Sequence, residues 1–86
     1  MEITANLIKL QNEWIIAQVE PIETGDSLPG DPDVWMIEPY VVESDGQITQ
    51  WAPHADEREF NVRSGDLTVV TNPSKALLAR YIESLE

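Results

Sequence analysis

The chain holds one histidine, His54, followed closely by Asp56, Glu57 and Glu59. A zinc or hydrolytic metal centre built on His54 would need those carboxylates as companions. The run lacks any spacing that metal sites use, so it is read as a solvated bend. Asp26, Asp31 and Asp33 could gather a hard cation, but they lack both the alternating-acid spacing and the distal glutamate of a calcium loop. They are read as solvated loop acids. A Ser-His-Asp set can be assembled on paper, yet nothing resembles the Gly-x-Ser-x-Gly elbow that would position it. The scattered glycines form no phosphate-cradling loop. With no cysteine there are no disulfides, thiolate metal sites or thiol nucleophiles. No catalytic residue, metal ligand or cofactor is assigned, and the chain is expected not to be an enzyme.

Chemistry absent from motifs is present in the charge. Sixteen acidic residues against five basic ones give a formal charge of -11. From Leu10 to Glu57 there is no Lys or Arg, while that stretch carries Glu13, Glu20, Glu23, Asp26, Asp31, Asp33, Glu38, Glu43, Asp45, Asp56 and Glu57. Such a surface repels a phosphate backbone. From Arg58 onward Arg58, Arg63, Lys75 and Arg80 balance Glu59, Asp66, Glu83 and Glu86, so any anion-facing surface must be built there. Trp14, Trp35, Tyr40, Trp51, Phe60 and Tyr81 interleave with acids rather than with Lys and Arg, unlike a base-stacking platform. Most of them are read as core or subunit-interface residues.

Short strands dominate the elements that must carry these side chains. Ile8 and Leu10 alternate with Lys9, and Glu13–Glu20 resumes a β pattern after a turn near Asn12. In that second strand Ile15, Ala17 and Val19 point one way and Trp14 and Ile16 the other, so one face can fill a barrel and the other needs a cover. Residues 24–33 are rich in Gly, Pro and Asp and read as a long loop. A third strand spans Val34–Val42, with Pro39 marking a bulge or an edge. Ser44–Gly46 turns the chain into a short strand at Gln47–Trp51, and Ala52–Glu57 is a bend. Strands follow at Glu59–Val62 and Leu67–Thr71, separated by the tight turn Ser64-Gly65-Asp66. Thr71 or Asn72 is placed to cap a closing helix, with Pro73 in its first turn and Leu77, Leu78, Tyr81, Ile82 and Leu85 on one face.

Several of these residues resemble the Sm/LSm-like family of small, strongly bent five-stranded barrels that assemble into rings. Leu10, the Asn12 turn, Ile15, Ile16, Ala17, Val19, Ile22 and Glu23 follow the order of its first motif, with Ala17 in place of the usual glycine. Val62-Arg63-Ser64-Gly65-Asp66-Leu67 looks like the second, with Ser64 interrupting the Arg-Gly pair. The ending is similar to a divergent microbial and phage branch that carries a C-terminal helix. The resemblance implies single-stranded RNA on a surface containing Trp35, Arg63 and Gly65. Ile37 or Glu38 stands where the family places the asparagine that helps hold a base.

The expectation is therefore a mainly β fold: a strongly bent five-stranded antiparallel Sm-like (SH3-like) barrel with a C-terminal α-helix. It forms one domain over 1–86, with the barrel at about 3–71 and the helix at about 73–85. An 86-residue chain has a thin core, which favours help from a partner subunit. Two functions follow. One is a homo-oligomeric ring that binds single-stranded RNA or scaffolds a ribonucleoprotein. The other is an acidic protein–protein interaction and assembly module that takes a basic protein partner and no nucleic acid. The N-terminus lacks a secretion signal and no apolar run is long enough to cross a bilayer, so a cytoplasmic location and no membrane partner are expected.

Overall fold

The computed structural model describes residues 4–22 and 33–85. Six strands and one helix follow in the order β1 (Asn6–Leu10), β2 (Glu13–Pro21), β3 (Val34–Val42), β4 (Ile48–Gln50), β5 (Glu59–Val62), β6 (Leu67–Thr71) and α1 (Lys75–Leu85). A 3-10 turn at Ser64–Asp66 joins β5 to β6. The expected loop at 24–32 lies outside the described residues.

All strands are antiparallel, in the order β4-β3-β2-β1-β6, with β5 also paired to β3. β4 and β5 lie along the same edge of β3. β4 pairs with Tyr40–Val42, β5 with Val34–Ile37, and residues 51–58 leave the sheet between them. β4 and β5 are thus the two halves of one split edge strand, because Pro53 and the charged residues after it cannot extend a ladder. β6 occupies the opposite edge, and the hydrogen-bonded sheet does not close on itself among the described residues.

The two apolar faces of β2 organise the core. Ile15 and Ala17 pack with Ile8 and Met36, with Val19, Trp51, Phe60, Val62 and Leu67 around them. Ile16 faces the other way and packs with Ala5, Tyr40 and Tyr81. Ile8, Ile15, Ile16 and Met36 are each fully buried, and each contributes roughly 1.5–3 kcal/mol of hydrophobic stabilisation. The cover that the second face requires is α1, which brings Tyr81, Leu77, Leu78 and Leu85 against Ile16, Tyr40, Val42 and Ile48.

Two bulges bend the sheet. Between the pairs Ile16↔Tyr40 and Gln18↔Ile37, Ala17 of β2 opposes both Glu38 and Pro39 of β3. A second irregularity sits where β1 pairs β6, and Thr68 Oγ1 donates to the Lys9 carbonyl there at 3.1 Å. The hairpin between β1 and β2 turns at Gln11, whose φ of 57° is left-handed.

The helix starts later than its capping residues suggested. Thr71 is still part of β6, paired with Leu7. Ser74 is the cap instead: its Oγ accepts from the Leu77 N–H at 3.2 Å, satisfying a first-turn donor. Pro73 precedes the helix rather than opening it.

Candidate functional site

Contacts from three parts of the chain converge on the bulge in β3. Glu38 takes a left-handed φ of 50°, a conformation costly for a residue with a Cβ. Pro39 after it lacks an N–H, so a regular ladder is unattainable at this point. Several backbone polar groups of the bulge find partners outside the ladder. The Glu38 N–H donates to the Arg58 carbonyl at 2.7 Å and the Trp51 N–H to the Pro39 carbonyl at 3.0 Å. The Tyr81 hydroxyl reaches the carbonyls of Glu38 at 2.9 Å and Ile37 at 3.3 Å.

Arg58 fills the inside of the bend. Its Nη1 donates to the carbonyls of Trp51 at 2.9 Å and Ala52 at 3.2 Å, and its Nη2 to that of Pro39 at 3.0 Å. Its Nε lies 3.5 Å from Glu38 Oε2, an ion-pair distance without hydrogen-bond geometry. The guanidinium also stands 5.7 Å from the Phe60 ring centroid. This cation holds the excursion of residues 51–58 onto β3. It is occupied by the protein itself.

Tyr81 pays no ionic role in this arrangement; burial pushes its hydroxyl above the ordinary value of 10.0, and the nearby Glu38 carboxylate adds to the shift. It therefore stays a hydrogen-bond donor.

Among the described residues, one half of the sheet face that α1 covers is left open. On this face Glu20, Trp35 and Asn61 form a row across β2, β3 and β5, and Gln18, Ile37 and Glu59 form the next. The rows continue the surface on which Ile16 and Tyr40 meet Tyr81. Trp35, Ile37, Glu38, Glu57, Arg58 and Glu59 line an open concavity of about 550 Å³ there. Trp35 and Ile37 are half-buried, while Glu57 and Glu59 are exposed.

The three residues expected on an RNA surface are not gathered in that concavity. Trp35 lines it, whereas Arg63 and Gly65 sit in the turn between β5 and β6. The Arg63 guanidinium is held by Asp66, with Nε donating to Oδ2 at 3.0 Å and Nη2 to Oδ1 at 3.4 Å. A Cβ at Gly65 would meet no atom within 4 Å, so no close approach demands glycine there.

Asp33, grouped in the sequence with Asp26 and Asp31 as a loop acid, has a structural task. Its carboxylate accepts from the Ser64 N–H at 2.7 Å and from Ser64 Oγ at 2.8 Å, tying the start of β3 to the 3-10 turn. These bonds, the backbone one foremost, hold its carboxyl below the ordinary 3.8. Asp26 and Asp31 lie outside the described residues. Among the described residues no three His, Asp or Glu side chains converge as a metal site, and His54 is exposed in the excursion.

Sequence reasoning missed the part played by Arg58, counted there only as a balancing charge. Its one local signal is its place as the first cation after the long acidic stretch. The acceptors that define its role are contributed by residues up to 19 positions away.

No helix among the described residues is long and apolar enough to cross a membrane. No curated protein matches the chain. The chain matches the family of unknown function DUF6561 over residues 1–86, and belongs to that family.

Proposed function

We propose that this chain is an acidic interaction and assembly module on an Sm-like small barrel, with proteins, copies of itself included, as its partners. The observation that carries the reading is β6. It is hydrogen-bonded to β1 alone among the described residues, and Val69 and Val70 on it are 39% and 52% exposed. An open, β-branched edge is a template for strand pairing unless it is covered or blocked by charge. Among the described residues the split strand β4/β5 supplies the complementary open edge at the other end of the sheet. Pairing one edge with the other in the next copy is a heterologous contact, which closes into a ring when the rotation permits.

Two features favour protein over nucleic acid as the partner. Arg63, the cation that the Sm-like resemblance would place on RNA, is engaged by Asp66. The Trp35 concavity is rimmed by carboxylates, and its one cation, Arg58, is engaged by backbone carbonyls. Light scattering tests the assembly: a mass several times 9.7 kDa is expected, and a monomer at all concentrations sinks the reading. A titration with labelled oligo-U is expected to show no saturable binding. Saturable binding would return the chain to the RNA-binding function of the resemblance.

A further inference from the structure

We propose that the Trp35 concavity is a docking site for a basic protein segment, with a lysine or arginine side chain seated over the Trp35 ring between Glu57 and Glu59. This rests on reading the chain as a protein-interaction module and names the chemistry of one partner.

The site is more than a set of acids. Among the described residues it is the uncovered continuation of the sheet face that α1 packs on, so its centre is apolar: Ile37 and the Trp35 ring, both half-buried on β3, between β2 and the split edge strand. Cations are attracted to the face of an indole, Trp being the best of the aromatic rings for this contact. Around that centre stand Glu20, Glu38, Glu57 and Glu59, with Asn61 as a neutral neighbour. The single positive group, Arg58, donates to three backbone carbonyls and lies beside the Glu38 carboxylate, so it leaves the rim strongly negative. A long side chain with an apolar stem and a cationic head matches both parts: the stem lies along Ile37 and the head meets the ring and the carboxylates. An anionic ligand meets repulsion from the carboxylates of the rim. The concavity of about 550 Å³ is open enough for the side chain to arrive with its backbone still in solvent.

The occupancy of the site is read by the indole N–H resonances of the full chain, titrated with an acetylated and amidated octapeptide that alternates lysine and alanine. The Trp35 resonance is expected to shift and saturate, while those of Trp14 and Trp51 stay in place. The double variant Glu57→Gln/Glu59→Gln should weaken binding about five- to tenfold, as expected for losing two exposed ion pairs. The variant Glu43→Gln/Asp45→Asn makes the same change of charge in the β3–β4 turn and should alter binding less than about twofold. Equal weakening by both pairs would overturn the site, since it means attraction to net charge alone. So would the absence of a saturable Trp35 shift up to about 1 mM peptide. Oligo-U moving the same indole would overturn the assigned charge of the ligand. A mass above that of the monomer alongside a silent Trp35 would refute this site and leave the assembly reading standing.

Discussion

The Tyr81 hydroxyl donates to the Glu38 carbonyl at 2.9 Å, joining the helix to the one residue of β3 with a left-handed backbone. The contact spans 43 positions of the chain, and it fixes both where the helix sits and where the sheet bends. Tyr40 reinforces it from the strand side: its ring meets that of Tyr81 edge-on with centroids 5.8 Å apart.

Tyr81→Phe keeps the ring packing and removes the donor from the carbonyls of Ile37 and Glu38. A loss of about 1–3 kcal/mol is expected in urea unfolding. The pH dependence has a definite sign. Because the folded state raises this pKa above its ordinary 10.0, the stabilisation is fully present below that value and falls as pH climbs through the higher folded one. Wild-type stability should therefore drop above about pH 10, and the drop should be smaller in Tyr81→Phe.

Arg58→Lys preserves the charge and loses the fork that serves three carbonyls at once. The ammonium cannot reach Trp51, Ala52 and Pro39 together, so acceptors are left unpaired at the bend. A loss of about 2 kcal/mol is expected from the shift in the urea midpoint. If Arg58→Lys unfolds at the wild-type midpoint, the guanidinium does not hold the excursion.

Asp33→Ala should free the Ser64 N–H and speed its hydrogen exchange without unfolding the sheet, because the contact lies at the surface. For the wild type, the linkage runs in the acid direction. A carboxyl with a lowered folded pKa stabilises fully above its ordinary 3.8, and that contribution fades as pH falls through the lower folded value. The Ser64 amide resonance should accordingly titrate with a midpoint below 3.8. A midpoint at or above that value would show that the Asp33 contact is not formed.

Ser74→Ala removes the cap from α1 and should cost about 1 kcal/mol in urea unfolding. Asn72→Ala should change stability by less than about 0.5 kcal/mol, since the residue lies outside the helix. The reverse ranking would restore Asn72 as the cap.

Much of the fold was legible because its signals are local. The apolar and β-branched residues of Val34–Val42, Glu59–Val62 and Leu67–Thr71 define strands from neighbouring residues alone, and all three appear with those bounds. Pro39 announced the bulge for the same reason, since a missing N–H is a property of one residue. The helix cap was misplaced because Thr71 and Asn72 have the right side chains. What removed Thr71 was its pairing with Leu7, a partner 64 positions away.

By itself the sequence determined the two-faced β2, the acidic stretch from Leu10 to Glu57, and a C-terminal helix with one apolar face. These follow from side-chain types at fixed periods and need no knowledge of what lies across the sheet. Tertiary structure alone decided that α1 covers only the Tyr40 half of its sheet face, that Arg58 serves backbone carbonyls and Asp33 holds Ser64, and that Arg63 is engaged by Asp66. Whether a charge is free depends on what the fold brings within about 3–4 Å of it. That is why a motif resemblance could suggest an RNA surface while the folded chain leaves Trp35 ringed by carboxylates.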